Sequence, residues 1–218
     1  MKVIYLKATT INNKKVDIND IDFEKLMIIY SIALEKMKRI LVNLQKETNN
    51  NSEYDAVTNV FSRIKEPSSI IDKMIKKGYP LTYQSLIENI NDVAGSRVIC
   101  MSEKDVYKIV KEISKIEEIN IIKKKEFIKK PKKSGYSAYH IIVEVPIYLE
   151  NKNVWIKVEI QVRTSAMDFW ANLEHGVSYK GLSKMSKRDS RLLKVYSRII
   201  FRNNITNMYK KNYQCIEN

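Results

Sequence analysis

The chain has 218 residues, 44% hydrophobic and 29% charged, a globular composition that fits one domain with a sizeable core, which is expected, or a compact domain plus a helical appendage. The longest apolar run, Leu26 to Leu34, is broken by Ser31 and too short to span a bilayer; with no leader-peptide pattern, and with Cys100 and Cys215 lacking metal or redox spacing, a cytoplasmic protein with reduced thiols and no membrane partner is expected. The net charge of +14 comes from two places: residues 123–133 hold seven Lys against Glu126, and residues 180–218 hold ten Lys or Arg against Asp189 and Glu217.

In chain order, Asp20 or Asp22 caps a first helix, predicted over about residues 21–48, whose apolar positions Leu26, Ile29, Ala33, Met37, Ile40, Leu41 and Leu44 recur at steps of three and four. Asn49 to Asp55 forms a polar break before a short extended run, Val57 to Lys65. Pro67 suits the first turn of a helix ending at Gly78, where glycine accepts a left-handed cap, and Thr82 caps another short helix to Ile90. Asp92-Val-Ala-Gly-Ser-Arg-Val-Ile-Cys100 reads as a buried strand. Ser102 and Asp105 then resemble a capping box before a helix that turns Val106, Ile109, Val110, Ile113 and Ile116 inward.

The basic stretch reads as a loop leading into a strand over 141–149, and Glu150 to Asn153 turns the chain back into the strand Val154 to Arg163. This pair is expected to be antiparallel and to join parallel strands in a mixed sheet. Thr164 caps a helix to about Ser178, and residues 187–211 form a last basic, amphipathic helical region. The basic surplus suits a local anionic partner, nucleotide phosphates or RNA; the alternative is solvated lysine in a Lys-rich composition.

In the strand before Thr164, Val154, Ile156, Val158, Ile160 and Val162 take one face, so Lys157, Glu159, Gln161 and Arg163 share the other. Polar groups crowded on one face of such a framework are costly unless they meet a ligand, a metal or each other, which makes this face the candidate site. All five glycines are isolated, so no glycine-rich phosphate loop exists and any polyphosphate must be held by side-chain cations and metal. Arg63, Lys65 and Lys73 converge at a strand-to-helix junction and can clamp a triphosphate, or can be ordinary exposed charges. Asp92 and Glu159 can share Mg²⁺, although Asp92 can equally be a turn residue. Tyr136 after Gly135 offers a plate for a base or simple packing. His140 and His175, the only histidines, are too few for a phosphohydrolase domain built on clustered histidines. One carboxylate, Asp168, can accept from both N1–H and the 2-amino group of guanine, or can merely favour a helix dipole.

Together the motifs resemble the RelA/SpoT family, in particular its short single-domain small alarmone synthetases. The carriers are Ser62-Arg-Ile-Lys65 with Lys73, Asp92-Val-Ala-Gly-Ser-Arg97, Pro131-Lys-Lys-Ser-Gly-Tyr136 through His140, and Val158-Glu-Ile-Gln-Val-Arg-Thr164 through His175 with Tyr179-Lys180. Counting Phe169-Trp-Ala-Asn-Leu-Glu-His175 as a block of its own, five blocks stand in the family's order, and the resemblance runs from about residue 21 to 200.

The resemblance implies a nucleotidyltransferase-like α/β (α+β) fold with a mixed sheet of about five strands between helices. It implies one synthetase domain, with a catalytic core near 50–180, terminal helices, and no hydrolase or regulatory domain. The implied reaction moves the β,γ-pyrophosphate of ATP to the ribose 3′-hydroxyl of GTP, GDP or GMP, giving pppGpp, ppGpp or pGpp and AMP. Arg63 and Arg97 would sandwich adenine, and Lys65 and Lys73 would hold the ATP phosphates. Asp92 and Glu159 would hold Mg²⁺, with Glu159 also accepting the hydroxyl proton. Tyr136 would stack on guanine, with Lys132, His140 and Gln161 around the acceptor. A homotetramer is implied, with single-stranded RNA or alarmone as a regulator.

The chain departs from the family pattern at Ser68 and Ser137, where many relatives are basic, and at Ser134, which replaces a frequent Asn; the acceptor is therefore open among the three guanosine nucleotides. Two other functions compete: a toxic relative that pyrophosphorylates the 3′ end of tRNA, and an inactive RNA-binding module.

Overall fold

The computed structural model describes residues 9–11, 14–16, 23–149, 151–179 and 195. Predicted features at Lys180, at Cys215 and over 187–211 lie outside these residues, as does the side chain of His175. A small antiparallel hairpin, β1 (Thr9–Ile11) with β2 (Lys14–Val16), precedes α1 (Phe23–Asn50). The rest follows as β3 (Val57–Ile64), α2 (Pro67–Lys77), α3 (Tyr83–Asn89), β4 (Ala94–Cys100), α4 (Glu103–Ile113), β5 (Asn120–Glu126), β6 (Tyr139–Leu149), β7 (Lys152–Thr164) and α5 (Ser165–Tyr179). No helix among the described residues is long and apolar enough to cross a membrane.

Five strands form one sheet in the order β3-β4-β7-β6-β5. Only the β4–β7 pair is parallel, and the expected β6–β7 hairpin is antiparallel, so the sheet is mixed as expected. Its apolar face carries Val98, Ile141, Val143, Val158, Ile160 and Val162. The buried stripes of α1 (Leu26, Tyr30, Ala33, Leu34, Met37, Leu41) and α4 (Val106, Ile109, Val110, Ile113) join these residues in one core. Packing on this side leaves the opposite face to polar residues.

Several local signals act as the sequence predicts. Gly78 takes φ 68° as the left-handed cap of α2. The Thr82 hydroxyl accepts from the Ser85 N–H, and Ser102 with Asp105 forms a complete capping box.

Two expectations need correction. The first helix runs on through Asn50, because the Asn49 side chain is anchored by the backbone N–H and C=O of Val57 in the next strand. The stretch beginning at Lys123 is strand as far as Glu126: β5 pairs with β6, and its backbone hydrogen bonds do not need an apolar side-chain pattern. An edge strand bearing lysines is also protected against further pairing.

Candidate active site

The register places the polar residues of the five strands in two rungs across the open face. One rung runs Arg63, Gly95, Glu159, Ile142, Lys123; the next runs Phe61, Arg97, Gln161, His140, Lys125. Gly95 contributes no side chain, so the floor stays open between Arg63 and Glu159.

At the edge nearest β3, Asp92 lies just before β4. Lys65 Nζ is 2.9 Å from its Oδ2, and Lys73 Nζ is 2.6 Å from its Oδ1. The first residue of that pair follows β3, where its backbone N–H donates to the Val93 carbonyl; the second projects from α2. Burial alone would raise the Asp92 pKa, but hydrogen bonds from Lys73 and Lys65 outweigh it and hold the carboxyl below the usual range. The two lysines thus arrive where the sequence suggests, already gathered by one carboxylate. Arg63 is exposed and, among the described residues, its side chain makes no hydrogen bond or ion pair.

In the centre, Glu159 is gripped at both oxygens. His140 Nδ1 is 2.9 Å from Oε1, and Gln161 Nε2 donates to Oε2 at 2.7 Å. Burial pushes the Glu159 pKa up, yet His140 and Gln161 together bring it below the ordinary value; the nearby charge of Asp92 acts in the opposite sense. Asp92 lies near enough to influence Glu159 electrostatically, and these two carboxylates are the ones on this face that could hold a hard divalent cation once their present partners give way.

Toward β5, a turn sets the aromatic wall. Gly135 N–H donates to the Lys132 carbonyl at 2.8 Å, and Gly135 has φ 94°, a conformation that side chains disfavour. The next residue, Tyr136, brings its hydroxyl to 2.7 Å from His140 Nε2. Lys132 Nζ sits 4.5 Å from the Tyr136 ring centroid and 4.8 Å from that of Phe127. Ser137 is buried and adds no charge here.

The far end of β7 holds Arg163, only 1% exposed. Its guanidinium donates to Gln161 Oε1, to the Tyr136 hydroxyl at 3.4 Å and to Asp168 Oδ1 at 3.4 Å. Arg97 Nη1 reaches the same Asp168 oxygen at 2.9 Å. Lys157, the remaining polar residue of this strand face, is structural: its Nζ donates to the Ile87 and Glu88 carbonyls at the end of α3.

All eleven candidate residues therefore lie on or beside one sheet face. The sequence offers Arg163 no role beyond pairing with Glu174 or a neighbouring carboxylate, and no reason to single out Phe61 or Phe127. The strand alternation places Arg163 on the polar face, and the neighbouring carboxylate that it meets is Asp168. Phe61 shares the face of Arg63 by simple two-residue alternation.

A family model described as "Region found in RelA / SpoT proteins" matches residues 62–184. The chain is 36% identical over 159 residues to the GTP pyrophosphokinase YwaC of Bacillus subtilis strain 168, covering 73% of this chain and 76% of the relative. Small alarmone synthetase 1 from Bacillus subtilis, in a crystal structure bound to its product pppGpp, superposes with a TM-score of 0.79 at 26% identity, over 88% of this chain and 97% of that one. Small alarmone synthetase 2 from the same organism gives 0.77 at 32% identity, over 88% and 100%.

Proposed function

The chain belongs to the RelA/SpoT family, and we propose that it works as a small alarmone synthetase, a GTP pyrophosphokinase that moves the β,γ-pyrophosphate of ATP to the ribose 3′-hydroxyl of a guanosine nucleotide. The observation that carries the reading is the position of Glu159. This ionised carboxylate lies between a donor side built from Arg63, Arg97, Lys65, Lys73 and Asp92 and an acceptor side built from Tyr136, Lys132, His140 and Gln161.

The acceptor 3′-oxygen attacks the β-phosphorus of ATP, the bond from that phosphorus to the α–β bridging oxygen breaks, and AMP leaves. Glu159 takes the hydroxyl proton. Lys65 and Lys73 neutralise the donor phosphates, and the guanidinium faces of Arg63 and Arg97 take adenine. On the other side, Tyr136 stacks on guanine and Lys132, His140 and Gln161 fix the acceptor. Asp92 and Glu159 are the residues that would hold Mg²⁺, which supplies charge neutralisation to the phosphate oxygens. Such a reaction asks the protein mainly for positioning and fixed charge.

We read this chain as one cytoplasmic synthetase domain. Assembly as a homotetramer is supported by Ile28 and Ile32, one turn apart on α1 and 58% and 45% exposed; light scattering tests it. Regulation by single-stranded RNA or alarmone is consistent with exposed Lys123, Lys124 and Lys125 on β5, and titration of labelled RNA or pppGpp tests it.

The decisive experiment incubates the purified chain with γ-labelled ATP, Mg²⁺ and either GTP, GDP, GMP or deacylated tRNA. Label on a guanosine nucleotide is the expected result and ranks the three acceptors. Label only on tRNA overturns the reading in favour of the tRNA-modifying activity, and no transfer at all favours an inactive RNA-binding module.

A further inference from the structure

Asp168, on the first turn of α5, neutralises two arginines that serve opposite sides of the site. Its Oδ1 receives Arg97 Nη1 at 2.9 Å and Arg163 Nη1 at 3.4 Å, and its Oδ2 receives Asn172 Nδ2 at 3.1 Å. Arg97 comes from β4 and lies next to Arg63 on the donor side. Arg163 comes from β7 and lies under the acceptor tyrosine, with its guanidinium carbon 5.6 Å from the Tyr136 ring centroid.

A carboxylate offers about four acceptor positions. Three donors already occupy Asp168, which leaves about one for a guanine edge that presents paired donors. A guanine edge with paired donors would have to displace Asn172 from Oδ2 or loosen one of the two arginines on Oδ1.

The two guanidinium groups also repel each other: burial and the charge of Arg163 both lower the Arg97 pKa, and Asp168 opposes them. Arg163 is enclosed and cannot swing out to water, whereas the Arg97 side chain is 26% exposed and can. Asp168 is what keeps Arg97 down on the sheet. It holds Arg97 by one edge of the guanidinium, at Nη1, and a base would stack on the planar face.

Resting on the synthetase reading above, we propose that Asp168 is a positioning residue that couples the two nucleotide subsites. A donor base stacked on Arg97 fixes the shared carboxylate, the carboxylate fixes Arg163, and Arg163 fixes Tyr136 and Gln161 for the acceptor. The nucleotide that binds first orders the clamp, and the second meets it already ordered. By linkage, each nucleotide raises the affinity of the other by one common factor.

The test is calorimetric titration of a non-hydrolysable ATP analogue with and without GDP, and of GDP with and without the analogue, on the full-length protein. In the unaltered protein each nucleotide is expected to tighten the other by the same factor, roughly 5–150-fold. In Asp168→Asn the factor falls to about one while each nucleotide alone still binds, and Asp168→Glu restores part of it. Independent binding in the unaltered protein overturns the proposal whether or not the variants fold, and so does an unchanged factor in Asp168→Asn. An Asn variant that keeps the coupling but no longer distinguishes GDP from IDP, which lacks the 2-amino group, overturns it in favour of guanine reading. If the unaltered protein transfers no label from ATP, the synthetase reading itself fails, which the binding data report separately.

Discussion

His140 and Glu159 meet across the β6–β7 ladder on a diagonal: His140 is paired in register with Gln161, and Glu159 with Ile142, yet His140 Nδ1 comes to 2.9 Å from Glu159 Oε1. The other imidazole nitrogen holds the Tyr136 hydroxyl. One ring thereby spaces the proposed proton acceptor from the proposed guanine platform, and both side chains are largely withdrawn from water.

Glu159→Gln keeps the shape of this arrangement and removes the base. Turnover should fall by about 10²–10⁴-fold, the usual contribution of a positioned acid or base. The thermal unfolding midpoint should change by no more than a few degrees. Steady-state rates with ATP and GDP beside a melting curve check both; near-normal turnover would remove Glu159 from its role.

Tyr136 separates ring from hydroxyl. Tyr136→Ala should raise the acceptor KM by roughly 5–150-fold, the worth of about 1–3 kcal/mol of base stacking. Tyr136→Phe retains the ring and loses only the bonds to His140 and Arg163, so its acceptor KM should rise much less. Equal defects in the two variants would mean that stacking is not what Tyr136 supplies.

Gly78 terminates α2 at φ 68°, where open space surrounds it and only backbone conformation opposes a side chain. Gly78→Ala should destabilise the fold by about 1–2 kcal/mol without altering turnover per folded molecule. Urea unfolding followed by circular dichroism measures the cost.

Cys100 is a buried free thiol at the end of β4, and burial raises its pKa far above the ordinary 9.0, with the charge of Asp105 adding to the effect. An acid whose folded pKa is raised favours folding below its unfolded pKa, and that contribution is lost as pH rises beyond about 9. Stability should therefore decline on the alkaline side, less so in Cys100→Ala. Iodoacetamide labelling mapped by mass spectrometry should leave Cys100 unmodified at pH 8.5 until the protein is unfolded.

The sequence by itself determined the elements whose signals are local. The three- and four-residue apolar steps of α1, the Thr82 and Ser102 caps, the Gly78 stop and the alternation of β7 each act within a few residues, so they survive without knowledge of the fold. The motif blocks likewise identified the family and gathered the side chains that the sheet later aligns. Only the tertiary structure decided that Asn120 to Glu126 is a strand, because an edge strand draws its stability from backbone bonds to β6 and leaves no required side-chain pattern. Only the packing of strands and helices decided that Lys65 and Lys73 share Asp92, and that Arg97 and Arg163 share Asp168. A charged residue in a sequence advertises the need for a partner; which partner it finds depends on the strand order that brings β4 beside β7 and on the helix that follows.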